Sequence, residues 1–361
     1  MTRDIKQDIE HWVPAAIRAL SAYHVPDPGN CIKLDAMENP YQWPPELVTA
    51  WLERLRTVSL NRYPDPSARS LQQALRTAMR IPDAIDVLLG NGSDELIQMI
   101  IQTLAAPGRV ILAPEPTFVM YRLIAQVVGV KFAGVPLTDN FQLDMDAMLE
   151  AIDLHQPAVV FLAYPNNPTG NLFEAKAIRR IIEASPGLVV VDEAYAAFAS
   201  DSFMGLLGEY SNLLVLRTVS KMGLAGLRLG LLAGPPAWLG EIDKTRLPYN
   251  INVLTQVSAE FALEHRDVLD TQTAQIRADR EVLLKALQAF PGLRVYPSEA
   301  NFILFRTPAG RADKIFAGLR ERGILIKNLH GAGGALTDCL RVTVGTPAEN
   351  SAFVDALRAL L

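Results

Sequence analysis

An α/β fold of two domains is what this sequence predicts, and three observations predict it. The chain has 361 residues, a length that suggests about two domains. From about residue 86, short apolar runs alternate with stretches of helical periodicity. That is the pattern of buried strands separated by helices in a mostly parallel sheet. Near Pro248 the alternation gives way to long helical stretches followed by short strands, which reads as a smaller α+β domain. The expected division is an N-terminal arm, residues 1–44, packing with the small domain; a large domain, 45–247; and a small domain, 248–361.

Taken in order, the arm carries one short amphipathic helix and ends in Leu34-Asp35-Ala36-Met37-Glu38-Asn39-Pro40, where proline and asparagine favour turns. A helix is expected over 45–57, then a proline-stiffened loop through Asn61-Arg62-Tyr63-Pro64-Asp65-Pro66. The next helix starts near Ser67, with Leu71, Leu75 and Met79 at spacings of four. Seven strands are expected at 87–89, 110–112, 131–135, 159–162, 188–191, 214–216 and 229–233, with helices at 94–105, 118–128, 144–153 and 174–184. Beyond Pro248 the expectation is helices over 253–265 and 268–290, strands near 293–295, 301–306, 323–326 and 339–344, and a last helix over 347–360.

Composition narrows the function classes. Half of the residues are hydrophobic and one-fifth are charged, and the net charge of −5 shows no basic excess; nucleic acid is therefore not an expected partner. Cys31 and Cys339 are the two cysteines, which fits a reducing compartment. The opening Met1-Thr2-Arg3-Asp4-Ile5-Lys6 is charged where a signal peptide needs an apolar stretch. No apolar run reaches membrane-spanning length, so the expected place is the cytoplasm, with no membrane partner. The five histidines show no paired metal-ligand spacing.

Six stretches carry candidate chemistry. Ser220-Lys221-Met222-Gly223-Leu224-Ala225-Gly226-Leu227-Arg228 lies between two strands. A lysine there is placed to form an imine with an aldehyde, and Arg228 to grip a phosphate on the same molecule; the plain alternative is a solvated lysine. Gly90-Asn91-Gly92-Ser93-Asp94-Glu95 opens a helix whose free amides attract phosphate, unless Ser93 or Asp94 is only a cap. Pro114-Glu115-Pro116-Thr117-Phe118 offers an aromatic to stack on a flat ring, with core packing against Tyr121 as the alternative. Tyr164-Pro165-Asn166-Asn167-Pro168-Thr169-Gly170 follows a strand at the sheet edge where such folds bind ligands. Val191-Asp192-Glu193-Ala194-Tyr195 ends a buried strand with a carboxylate that needs a cationic partner or several donors. A pyridinium nitrogen would supply one; a magnesium site would need a phosphate-binding Gly-Lys loop, and no glycine in the chain is followed by lysine. Leu340-Arg341-Val342-Thr343-Val344-Gly345 places an arginine in an apolar strand, where its fork suits carboxylate or phosphate, with a structural ion pair as the alternative.

In chain order these stretches resemble the fold-type I pyridoxal phosphate enzymes, and within them the histidinol-phosphate aminotransferases, over nearly the whole length from Glu38-Asn39-Pro40 to the last helix. The resemblance implies a seven-stranded, mostly parallel sheet between helices and pyridoxal 5'-phosphate as cofactor. It implies an exchange of an amino group between L-histidinol phosphate and 2-oxoglutarate, in histidine biosynthesis. On that resemblance Lys221 carries the cofactor as an aldimine and moves the proton, Asp192 pairs with the ring nitrogen, and Asn167 and Tyr195 hold the ring oxygen. Phe118 stacks on the ring, while Gly92, Ser93, Asp94, Ser220 and Arg228 surround the phosphate. Tyr63 reaches the cofactor of a neighbouring subunit, so a homodimer with shared sites is implied; Arg341, Tyr23, Asn39 and Lys327 face the substrate. Met37 stands where the family usually has asparagine, and Lys327 where some relatives have arginine. Alternatives are an aromatic amino acid aminotransferase, a phospho-amino-acid decarboxylase, or a non-catalytic regulator on the same fold.

Overall fold

The computed structural model describes residues 4–22 and 25–361. The arm holds α1 (Ile5–Trp12), α2 (Ala15–Arg18) and the short strand β1 (Ile32–Lys33). Helix α3 (Pro45–Leu55) begins on Pro45, whose missing N–H is one that a first helical turn leaves unbonded anyway. Helix α4 (Arg69–Met79) buries Leu71 and Leu75 on one face.

The expected alternation then follows. Strands β2 (Asp86–Gly90), β3 (Val110–Glu115), β4 (Lys131–Pro136), β5 (Val159–Ala163), β6 (Leu188–Asp192), β7 (Leu213–Thr218) and β8 (Gly230–Gly234) form one sheet. Helices α5 (Ser93–Leu104), α6 (Met120–Val128), α7 (Met145–His155), α8 (Ala175–Ala184) and α9 (Pro236–Asp243) join or follow them. The sheet order is β2-β8-β7-β6-β5-β3-β4, and β8 alone runs against its neighbours. Its apolar strands serve two cores by simple alternation. Val160, Leu162, Val189, Val191 and Val215 point to one face, and Val159, Phe161, Leu188, Val190 and Leu214 to the other. A side-chain period of two on a sheet covered on both sides gives that result. Each such side chain contributes roughly 1.5–3 kcal/mol by leaving water.

Helices α10 (Val253–Glu264) and α11 (Arg266–Gln288) come next, followed by β9 (Arg294–Val295), β10 (Phe302–Arg306), α12 (Ala312–Glu321), β11 (Ile324–Leu325), β12 (Lys327–Asn328), β13 (Cys339–Thr343) and α13 (Pro347–Arg358). Strands β12-β13-β10-β9 make an antiparallel sheet. Ala259 and Ala262 of α10 belong to the core of the large sheet, so the change in sequence texture at Pro248 precedes the change in packing partner. The arm is stitched to the C-terminal part of the chain: β1 pairs in parallel with β11 as a separate two-stranded sheet, and Thr343 N–H of β13 donates to Leu34 O at 2.9 Å.

Helices α9 and α12, and the second of the arm's two helices, were not expected from the sequence. Helix α12 is short and lies between Gly310 and Gly323, with Ala312, Ile315 and Leu319 buried. Its apolar face is too brief to stand out from the flanking turn residues, and packing on α13 and the neighbouring strands completes it.

Candidate active site

Strand register brings five of the six candidate stretches to one sheet edge, and Arg341 reaches Asn167 there from β13 of the small sheet. Ala163 pairs with Asp192, Asp192 with Leu216, Thr218 with Gly230, and Gly230 with Gly90. Parallel strands end together, and antiparallel β8 begins where they end. The loops after β2, β3, β5, β6 and β7 therefore open onto the same crevice as Arg228, just before β8. Open α/β sheets place their ligands at such an edge. A pocket there is lined by Ser93, Asp94, Phe118, Asn167, Asp192, Tyr195, Ser220, Lys221 and Arg228, together with Met37, Ala163, Pro165, Ala194 and Thr218.

Lys221 lies in a wide turn, Ser220–Leu224, closed by Leu224 N–H donating to Val219 O at 3.3 Å. Turns of this width are often found at functional sites. Lys221 Nζ is 3.4 Å from Ala36 O and stands over the Tyr195 ring at 5.8 Å. Burial, with Arg341 and Arg228 adding to it against Glu38 and Asp94, pushes the amine down to about 8. A larger share of neutral, nucleophilic amine is thus present near neutral pH than on a surface lysine.

Asp192 ends β6 and is buried. Its Oδ2 accepts from the Tyr121 hydroxyl at 2.6 Å and its Oδ1 from Ala194 N–H at 3.1 Å. Burial pushes the carboxyl up to about 6, against the Tyr121 and Ala194 hydrogen bonds, while the charges of Asp94 and Glu193 push it further up. A buried carboxylate held by two neutral donors suits a ligand that brings a cation.

At the phosphate end, Gly92 sits at φ 89° and precedes α5. A methyl group on it would meet Arg228 Nη2 at 2.8 Å. Gly230 is equally constrained, since a Cβ there would lie 2.6 Å from the Gly92 carbonyl carbon and the Ser93 nitrogen. The turn thus rests directly on β8, and the α5 N-terminus meets the Arg228 guanidinium, which is 3.6 Å from Asp94 Oδ2. Ser220 Oγ lies 2.9 Å from Thr218 Oγ1. A helix N-terminus, an arginine and a hydroxyl form an anion site.

On the far side, Asn167 Nδ2 donates to Tyr195 Oη at 3.2 Å, and Arg341 Nη1 donates to Asn167 Oδ1 at 2.5 Å. Arg341 Nη2 also donates to Asp35 O at 3.1 Å, with the guanidinium 5.0 Å from the Phe302 ring centre. Burial pushes the Tyr195 phenol well up, Arg341 opposing, so it stays protonated at neutral pH. Phe118 lines the pocket edge-on to Tyr121, 5.6 Å between ring centres.

Several expected residues fall elsewhere. Tyr23 lies outside the described residues. Tyr63, expected at a neighbouring subunit's cofactor and not in this chain's own pocket, is 80% exposed and stacks on Tyr249 at 4.4 Å. Asn39 braces the lysine turn instead of lining the pocket. It donates to Met222 O at 3.2 Å and Gln272 Oε1 at 2.9 Å, and accepts from Tyr41 N–H at 2.8 Å. Both ends of its amide are thus engaged within the chain. Lys327 pairs across the strands with Arg341 and so shares its face of the sheet.

The structure adds residues that the sequence reading did not place at the site. Thr218 and Ala194 line the pocket beside the expected residues, and Tyr121 stands behind Asp192. Met37 forms a wall, held at φ 54° by bonds from its N–H to Thr343 Oγ1 and to its carbonyl from Asn301 Nδ2, each 3.0 Å. Asparagine tolerates that left-handed backbone better than most residues.

The donor set fits pyridoxal phosphate: a depressed amine, a buried carboxylate for a ring nitrogen, an amide and a phenol for a ring oxygen, and an anion cradle. A family model described as aminotransferase class I and II matches residues 29–357. Histidinol-phosphate aminotransferase 2 of Nitrosococcus oceani is 61% identical over 354 residues, covering 98% of each chain. Histidinol-phosphate aminotransferase 1 of Ralstonia nicotianae is 53% identical, covering 96% of this chain and 93% of that one. Among solved structures, the Sinorhizobium meliloti histidinol-phosphate aminotransferase in complex with pyridoxal-5'-phosphate superposes with a TM-score of 0.84 at 23% identity. The match covers 97% of this chain and 98% of that one, a likeness of fold.

Proposed function

The chain belongs to the class I and II aminotransferases, and from that premise we propose that it exchanges an amino group between L-histidinol phosphate and 2-oxoglutarate. The relatives that it matches at 61% and 53% identity are named histidinol-phosphate aminotransferases. The observation that carries the reading is one pocket holding Lys221 and Asp192, with Arg228 at one end and Arg341 beyond Asn167 at the other.

Pyridoxal phosphate, when bound, supplies an aldehyde and a ring that accepts the electron pair released at the substrate Cα. Asp192 holds a proton at the ring nitrogen, which needs its carboxylate ionised. Asn167 and Tyr195 direct N–H and O–H donors at the ring oxygen. Arg228, Ser220 and the α5 N-terminus hold the phosphate. With the cofactor bound, Lys221 Nζ would take the proton from the substrate Cα and deliver it to the cofactor C4′; an amine tuned toward neutral pH suits both directions. Arg341 binds the phosphate of one substrate and the carboxylate of the other through the same fork.

The reading extends to a homodimer in the cytoplasm. Support comes from Tyr63 and Tyr249, stacked at the surface, and from the exposure of Leu60, Leu247 and Leu254. A second copy would cover these residues and bring Tyr63 to its cofactor phosphate. Light scattering at micromolar concentration that returns a monomer would remove this part. No helix among the described residues is long and apolar enough to cross a membrane.

The test of substrate is a half-reaction titration of the cofactor-loaded protein with histidinol phosphate, phenylalanine, tyrosine and glutamate, followed by absorbance. Histidinol phosphate is expected to react at the lowest concentration, and Arg341→Ala to abolish that preference. A faster reaction with phenylalanine or tyrosine makes the protein an aromatic aminotransferase instead.

A further inference from the structure

Behind the pocket wall, Tyr121 connects two of the elements that shape it. The side chain is fully buried on α6, lies flat on Phe161 of β5 at 4.7 Å and 11°, and meets Phe118 edge-on at 5.6 Å. Its hydroxyl donates to Asp192 Oδ2 at 2.6 Å. Ala194 N–H holds the other carboxylate oxygen, so the two donors together fix the rotation of the group about Cβ–Cγ.

We propose that Tyr121 is a positioning residue for the transamination, holding Asp192 both ionised and correctly turned toward the cofactor ring. The inference rests on the reading that this pocket binds pyridoxal phosphate. Asp192 is attached to a mobile single bond, and a carboxylate that turns presents its oxygens unequally to a ring nitrogen. Tyr121 prevents the turn because stacking on Phe161 fixes its own ring. It also opposes the charges that disfavour ionisation. Asp94 from the start of α5 and Glu193 from the adjoining residue both act against a second negative charge. Tyr195, a neutral phenol, also faces this group, and Lys221 is an amine lining the same pocket. The same ring braces Phe118, so the aromatic wall and the carboxylate are set by one side chain.

The experiment compares wild type, Tyr121→Phe, Asp192→Asn and the double variant. It reads pyridoxal phosphate affinity by fluorescence quenching of the full chain, and the pH profile of the amino-transfer reaction. Tyr121→Phe keeps the ring, its stacking and its volume. Loss of a hydrogen bond to a charged group should weaken cofactor affinity roughly 10- to 100-fold. The same loss should move the acid limb of kcat upward by about one to two pH units, with the KM of the amino donor little changed. In the Asp192→Asn background the same substitution should have no further effect on affinity, because its route runs through the carboxylate. Tyr121→His, which returns a donor, should recover part of the affinity. Unchanged affinity and an unchanged acid limb in Tyr121→Phe overturn the inference, as does an equal loss in both backgrounds. A wild-type chain that does not bind pyridoxal phosphate overturns the underlying reading instead, and the two failures are told apart by that control.

Discussion

Removing the cation beside Glu193 should destabilise the whole edge of the site, and Arg217→Met is the substitution that shows it. Glu193 follows Asp192 directly, and its side chain is fully enclosed. The carboxylate accepts from Arg217 Nε at 2.9 Å and Nη2 at 2.7 Å, from the Ser202 hydroxyl at 2.9 and 3.0 Å, and from Phe203 N–H. Methionine fills much of the same space but leaves the carboxylate without a countercharge. Breaking a buried pair from one side costs about 3–5 kcal/mol. For a chain of this length melting as one unit, that corresponds to about 4–7 °C in Tm. The assay is thermal unfolding at pH 7.5, with and without pyridoxal phosphate. Because Glu193 anchors the segment between Asp192 and Tyr195, cofactor retention should fall in parallel. Glu193→Gln combined with Arg217→Met should recover much of the lost stability, since no unpaired charge then remains. An Arg217→Met protein that melts within about 1 °C of wild type would refute the reasoning, because no buried charge would then have lost its partner.

Three other outcomes are expected. Competitive acetylation of Lys221 in the cofactor-free chain should rise as pH passes about 8, where burial has lowered the amine; a midpoint near that of ordinary lysines, about 10.4, contradicts the placement. Cofactor-free Asp192→Asn should be more stable than wild type at pH 8 by about 1–3 kcal/mol, and the gain should shrink as pH falls through about 6. The sign follows from burial raising the carboxyl in the fold: the native state binds the proton more tightly, so wild type loses stability as pH rises from its unfolded value to about 6. A stability difference independent of pH removes that account. Gly92→Ala should displace Arg228, whose Nη2 lies 2.8 Å from the added methyl. Loss of one charged contact to the phosphate should weaken pyridoxal phosphate binding roughly 10-fold or more, measured by equilibrium dialysis, and an unchanged affinity shows that the cradle adapts.

The sequence by itself determined what local spacing can carry. The apolar runs of the large sheet, the helices between them, and the loops holding Lys221, Asp192, Asn167 and Ser93 were all legible, because each is written within a short window. A buried strand needs a continuous apolar run and a strand-to-helix turn needs glycine, asparagine or serine, whatever the rest of the chain does. Tertiary structure alone decided the neighbours. Nothing within 230–234 says that β8 runs backward between β2 and β7, although that insertion delivers Arg228 to the α5 N-terminus. Asn39 looked like a substrate contact, yet packing against Met222 and Gln272 uses up its amide. Tyr121 looked like core beside Phe118, which it is, and only the approach of β6 reveals its hydroxyl on Asp192. Hydrogen-bond partners of buried polar groups are set by which distant segments meet, and that information is not local to any stretch of the chain.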